Sequence, residues 1–355
     1  MTVVLLLFGL VAAAQDAPPF YADKTRLLCY LNEDGLSTAI TSVEQWKNRR
    51  RHILENMQLV MGKMPDIDRT QPPVYRIIEE KTFPLYIRQT ILYRVEDWDE
   101  VPAFLFFPLQ QAENKKLPAV LCLHPTSSIG KRVCAGEGEK TNRNYAVELV
   151  ERGYITLAPD YPGFGDYVEA RKQLYEKGYA SCTMKGIVNH IRAVDLLQSL
   201  HQVDPECIGC IGHSLGGHNT LFVSAFDTRI KVAVTSCGFT LFPKYMKGDL
   251  TGWTHDGYMP RIDSVYGEDP ARMPFDFSEV LAAIAPRAVF VCAPINDANF
   301  DVSGVKDAIA AAQPVFELFG EKGNLQVVYP NAEHDFPTEA RYAAYEYIDN
   351  VLAYP

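Results

Sequence analysis

From residue 119 to residue 330 the chain repeats one pattern: a short, wholly apolar run, then a stretch with helical periodicity. The runs are AVLCLH, YITLAPD, CIGCIG, KVAVTSCG, AVFVCAP and LQVVYP. Helical patterns fall near Asn144 to Arg152, near Met184 to Leu200, after Ser214, near Val305 to Leu318, and from Pro337 through Tyr345, Ile348 and Leu352. A strand that is apolar along its whole length is covered on both faces, and helical crossovers supply the cover. The pattern predicts an α/β architecture with a mostly parallel central sheet and helices on both faces. Ahead of it, Tyr75 to Pro108 alternates or clusters β formers, broken near Pro84 and at the acidic turn EDWDE, which predicts antiparallel N-terminal strands in the same sheet.

The flanks set the organisation. Residues 3–14, VVLLLFGLVAAA, are too short to span a bilayer comfortably and suit the apolar region of a secretory signal, although no lysine or arginine precedes them. Small residues before Gln15 offer a cleavage point, so a signal peptide over 1–14 and a secreted or periplasmic location are expected, with no stable membrane association after cleavage. Residues 15–74 then form an N-terminal helical lead-in. Its helix runs from Ser42 to Met61, with Ser42 and Gln45 as a capping box, Trp46, Ile53, Met57 and Val60 at helical spacing, and Gly62 at the stop. The run Arg49-Arg50-Arg51 reads as a solvated face. The main domain is 75–355, enlarged by a lid-like insertion at about 239–277, where no period is visible and Trp253, Tyr258 and Met259 stand out for either a small core or substrate contact.

Composition narrows the function classes. With 34 basic against 44 acidic side chains the net charge is −10, so the field repels polyanions and a nucleic-acid partner is not expected. Most of the eight cysteines lie in apolar runs and read as buried thiols. Cys207 and Cys210 have C-x-x-C spacing, yet residues three apart on a strand face opposite sides and share neither a metal nor a bridge. Cys134 and Cys182 sit in loop-like segments, where pairing stays open.

The chemistry concentrates after CIGCIG. There Gly212-His213-Ser214-Leu215-Gly216-Gly217 is a G-x-S-x-G match between a strand and a helix, a turn that exposes the Ser214 hydroxyl at the strand end with helix amides aimed at the same point. A serine nucleophile needs a base, and the base needs an acid that holds its tautomer. In this architecture the chain order is serine, acid, histidine. His334, in NAEHDFP after the last apolar run, is the expected base, and an imidazole with an ordinary pKa near 6.5 suits a group that takes and returns a proton. Asp297, just beyond AVFVCAP, is the expected acid, with Asp301 its rival. Negative charge developing on the substrate oxygen calls for amide donors, expected from Leu215 and from Thr126 in the His124-Pro125-Thr126-Ser127 loop, because Pro125 has no N–H. His124 reads as a brace for that loop. His213 and His218 flank Ser214 as packing or pocket residues, so His213, Trp253 and Tyr258 are the candidate substrate contacts. Arg261 reads as a structural salt bridge or a partner for a substrate carboxylate.

GHSLGG, LAPDYPGFG, the HPT loop with Gly130-Lys131, APxxD and HDFP together resemble the α/β-hydrolase superfamily, in particular its secreted acetylxylan-esterase-like and dienelactone-hydrolase-like serine esterases. The resemblance covers roughly residues 75–355, and the helix from Trp46 to Pro65 is similar to the lead-in of those proteins. It implies a secreted serine hydrolase of carboxylic esters, acetyl-type esters on carbohydrates foremost, working through an acyl-enzyme with Ser214 as nucleophile, Asp297 as acid and His334 as base. No metal or organic cofactor is implied. The elbow has serine where dienelactone hydrolases have cysteine, and it lacks the arginine of the glucuronoyl-esterase elbow. Two other readings are a prolyl-oligopeptidase-like serine peptidase, whose large N-terminal propeller about seventy residues cannot build, and a non-catalytic carbohydrate-binding relative.

Overall fold

The computed structural model describes residues 17–32, 34–109 and 115–352; the apolar run read as a signal peptide lies outside the described residues. A small hairpin, β1 (Cys29–Leu31) and β2 (Ser37–Ala39), precedes α1 (Val43–Met61). Three long strands follow, β3 (Tyr75–Thr82), β4 (Tyr86–Glu96) and β5 (Asp99–Pro108). Then come β6 (Leu117–Leu123), α2 (Tyr145–Glu151), β7 (Ile155–Pro159), α3 (Ala170–Glu176), α4 (Cys182–Ser199), β8 (Val203–His213), α5 (Leu215–Phe226) and β9 (Ile230–Ser236). The short helices α6 (Thr251–Thr254) and α7 (Arg261–Ser264) lead to α8 (Phe277–Ile284), β10 (Ala288–Cys292), α9 (Val302–Leu318), β11 (Leu325–Val328) and α10 (Thr338–Val351).

Nine strands form one sheet in the order β11-β10-β9-β8-β6-β7-β5-β4-β3. From β6 to β11 every neighbouring pair is parallel, whereas β3, β4 and β5 join antiparallel, as the patterning predicts. From β6 the chain moves first to β7 on one side, then returns to place β8 on the other, so the strand order reverses at β6. A reversal of this kind opens a crevice beyond the carboxyl ends of the strands on either side of it. The loops after β6 and β8 therefore meet there.

Alternation along the strands feeds two core layers. Ile208 and Cys210 of β8 face the layer under α1, α4, α5, α8 and α9, while Ile211 faces the layer under α2 and α10. Cys207 packs against that second layer, which places the C-x-x-C thiols on opposite faces. All eight cysteines are free, and Cys134 and Cys182, the pair whose bridging stayed open, belong to different apolar clusters. Among the described residues no helix is long and apolar enough to cross a membrane.

Three local expectations need correction. The Ser42 hydroxyl caps α1 by accepting from the Gln45 amide at 3.3 Å, but the Gln45 side chain accepts from the Thr41 amide at 2.8 Å, one residue beyond the partner a capping box uses. The arginine run is not a solvated face. Arg49 is fully buried against Glu279 of α8 at 2.6 Å, and Arg50 donates to the carbonyls of Ala283 and Ala225, leaving only Arg51 outward, beside Glu55. Arg49 comes three residues after Trp46 and four before Ile53, which puts it on the buried stripe of the helix. The insertion, finally, is folded around Trp253, which is 3% exposed and packs on Phe242, Tyr245, Phe277 and Phe300. Its helices are four residues long, too short for a 3.6-residue period to register.

Candidate active site

Ser214 follows β8 and stands at the N-cap position of α5 with φ 55° and ψ −118°, a conformation that a residue bearing a side chain seldom adopts. The neighbouring glycines let the chain make this turn. A side chain at Gly212 would overlap the backbone of Gly216, and one at Gly216 would overlap the Leu123 carbonyl at the end of β6. The Ser214 amide donates to the Ser236 carbonyl at 2.8 Å, and its own carbonyl accepts from Gly217 and His218. The hydroxyl is left pointing out of the sheet edge. Packing of Gly216 on residues 123 and 124 also seats the start of α5 against the loop that carries Thr126.

His334 sits in the loop after β11, and its Nε2 lies 3.0 Å from Ser214 Oγ. Its Nδ1 lies 3.0 and 2.9 Å from the two carboxylate oxygens of Asp297, in the loop after β10. An ionised carboxylate only accepts, so Nδ1 carries the proton and Nε2 presents a lone pair to the serine hydroxyl. Burial alone would raise the Asp297 carboxyl; the hydrogen bond from His334 and its charge, with the amides of Phe300 and Asn299, outweigh that and hold it below the ordinary carboxylate range. Asp301, the rival, instead caps α9 by accepting from the Ser303 amide at 2.7 Å. The chain Ser214–His334–Asp297 is arranged to draw a proton from the hydroxyl and to stabilise the resulting imidazolium.

Of the two expected amide donors, one directly follows the serine in the chain. Leu215 is the first residue of α5, where N–H groups have no partner within the helix. Thr126 is exposed at the crevice, and its hydroxyl meets the Tyr258 hydroxyl at 2.8 Å. His124 does brace this loop: Nε2 accepts from the Tyr161 amide at 2.9 Å and Nδ1 donates to the Pro125 carbonyl at 2.7 Å. Burial lowers its pKa, keeping it neutral in that role.

Of the three expected substrate contacts, Tyr258 alone is partly exposed, with its ring on His255 and His218 and its hydroxyl on Thr126. His213 is fully buried, its ring 5.0 Å from that of His334, and burial drives its pKa well below the usual imidazole value. It supports His334 from beneath as a neutral ring. Trp253 is core as described above, with its ring 4.8 Å from the buried His218. Side chains that adjoin a sharp turn or lie in an aperiodic segment carry little sequence signal of what will cover them. Arg261 forms no ion pair among the described residues and donates to the Leu59 carbonyl.

Two supports had no role in the sequence reading. Lys131 is fully buried, with Nζ 2.6 Å from both Asp160 and Asp166, so it ties the Thr126 loop to the PDYPGFGD loop. The motifs that contain these residues were visible, but their pairing was not. Asp335, beside the base, accepts from Asn142 at 2.5 Å and from Arg143 at 3.4 Å, and Arg143 also donates to the His334 carbonyl. These bonds cross about 190 residues of sequence, and no local pattern announces them.

A profile of the prolyl oligopeptidase family matches residues 141–354. A putative hydrolase, YtaP, of Bacillus subtilis (strain 168) is 27% identical over 309 residues, covering 82% of this chain and 96% of the relative. Carbohydrate esterase MZ0003, from an unknown prokaryotic organism, is 21% identical and covers 86% of this chain and 82% of the relative. Among solved structures, a glucuronoyl esterase from Solibacter usitatus superposes with a TM-score of 0.72 at 19% identity, over 94% of this chain and 98% of that one. The architecture is the α/β-hydrolase fold.

Proposed function

From the premise that this chain belongs to the prolyl oligopeptidase family, we propose that it is a serine hydrolase of carboxylic esters acting on acyl esters of carbohydrates. The observation that carries this reading is the 3.0 Å approach of His334 Nε2 to Ser214 Oγ with Nδ1 held by both oxygens of Asp297. His334 takes the hydroxyl proton as Ser214 attacks the ester carbonyl, and the amides of Leu215 and Thr126 receive the developing oxyanion. The same imidazole then protonates the leaving alcohol and activates the water that releases the acid. The carbohydrate part of the reading draws on the relatives, one named a carbohydrate esterase and one a glucuronoyl esterase. Export through the segment at 3–14 is part of the proposal, and a native protein whose N-terminus is still Met1 would remove it.

The family also supports a second reading, cleavage of prolyl peptide bonds, since the same residues act on amides. A panel of acetyl, feruloyl and methyl-uronate esters alongside prolyl peptides separates the two through ratios of kcat/KM. Esters are expected to lead, and a preference for the peptides would reverse the conclusion. Ser214→Ala should lower kcat on the best ester by about 10⁶-fold. Activity retained in that variant would refute the mechanism.

A further inference from the structure

Behind the hydroxyl-facing side of His334 lies a group that the mechanism leaves unused. Cys237 follows β9 with φ 47°, a left-handed conformation rare for a residue with a side chain, and this turn brings its thiol to the acid and base. Its Sγ, a carboxylate oxygen of Asp297 and a ring nitrogen of His334 all lie within 4.8 Å of one another. Thiolate, imidazole and carboxylate are the three donor types that zinc takes, at about 2.0 to 2.3 Å each, and three protein ligands plus water complete its tetrahedron. Donors this close reach a common metal through small side-chain shifts. A narrow void bounded by Cys237, Cys292, Asp297 and Phe300 adjoins the cluster.

We propose that Cys237, Asp297 and His334 form an inhibitory site for a thiophilic divalent cation such as zinc. The inference rests on the assignment of His334 as the base, and the inhibition follows from its tautomer. At present Nδ1 carries the proton and donates to Asp297, leaving Nε2 free to accept from Ser214. When a metal binds Nδ1, that nitrogen must give up its proton, and the neutral ring then carries its proton on Nε2. The thiol proton of Cys237 passes to solvent as the sulfur becomes a ligand, and the imidazole proton moves from Nδ1 to Nε2 by exchange with water. No electron is transferred. A ring protonated at Nε2 cannot accept from Ser214, so the metal holds the base in its inactive tautomer. Release of the metal restores the hydrogen bond to Asp297.

Cadmium serves as a spectroscopic probe, because a cadmium–thiolate bond gives an ultraviolet charge-transfer band that does not depend on turnover. One equivalent of Cd²⁺ should produce the band in the wild-type chain and in Ser214→Ala. Cys237→Ala and the more conservative Cys237→Ser should lose it. Cys207→Ser, at the thiol that is only half-buried, should keep it. Zn²⁺ should inhibit ester hydrolysis reversibly, with recovery on adding EDTA, and both Cys237 variants should need at least tenfold more metal for the same inhibition. A wild-type chain without the band, a band that survives both Cys237 substitutions, or equal zinc sensitivity in all variants overturns the site. The band present with no hydrolysis of any ester keeps the metal site and rejects the esterase reading instead.

Discussion

Two arrangements in this molecule pair a cationic or proton-donating group with a carboxylate across a long stretch of chain, and they behave oppositely. At the crevice, His334 keeps 28% of its side chain exposed while Asp297 beneath it is nearly sealed. Between the lead-in helix and α8, Arg49 and Glu279 are both fully buried at 2.6 Å. In the first pair the exposed member has a proton to exchange and a third group, Ser214, to exchange it with. In the second both groups are enclosed, and the guanidinium does not lose its proton in proteins. The chemistry of the pairs is similar, and access to solvent and to a third group makes one a proton relay and the other a clasp.

The comparison is open to attack in four places. Asp297→Asn removes the acceptor that keeps the proton on Nδ1, and kcat on the best ester should fall by about 10⁴-fold with unfolding free energy little changed. Glu279→Leu leaves the Arg49 guanidinium buried and unpaired, which should cost about 3 to 5 kcal/mol in urea unfolding while the folded fraction turns over normally. Adding Arg49→Met to that variant should recover most of the loss, and a double variant no better than the single one would mean that the clasp acts by packing alone.

The clasp region also has a pH signature. Burial pushes the carboxyl groups of Asp276 and Glu279 up to about 7, against the pull of the amides of Phe277 and Phe242 on Asp276 and of Arg49 and Lys24 on Glu279. Carboxyls raised above their unfolded values contribute stability that is complete below about pH 4 and is lost as pH rises through about 7. The Tm should therefore fall between pH 5 and pH 8. Asp276→Asn, which can still cap α8, should shrink that fall, and an unchanged slope would remove Asp276 from the account. The smallest effect is expected at Asp301, where Asp301→Ala should cost about 1 kcal/mol for the lost cap of α9 and leave turnover intact. A drop in turnover as large as that of Asp297→Asn would exchange the two aspartates.

What was legible in advance follows the range of the interactions. The parallel strands, the antiparallel entry from Tyr75 to Pro108 and the positions of the main helices depend on hydrophobic periods within a few residues, and these were readable. The hairpin at Cys29–Ala39 and the helices of the insertion were not, because three or four residues hold too little pattern. At the site, Ser214 was legible as a candidate from its glycines and its place between strand and helix, and chain order pointed to His334 and to Asp297 with Asp301 beside it. His213 and Trp253 were misplaced because burial depends on what the rest of the fold lays over them.

The sequence by itself determined the strand and helix periods, the sharp turn at Ser214 and the chain order of serine, acid and base, since each is written in neighbouring residues or in strand succession. Tertiary structure alone decided that β8 lies beside β6, so that the carbonyls of Leu123 and His124 meet Gly216 at the start of α5. It also chose Asp297 over Asp301 by placing one carboxylate on His334 and the other on a helix cap. Arg49 was turned inward to Glu279, and Lys131 was buried between two aspartates. These outcomes rest on contacts between segments distant in sequence, and a hydrogen bond or ion pair across such distances exists only after the sheet has set its order.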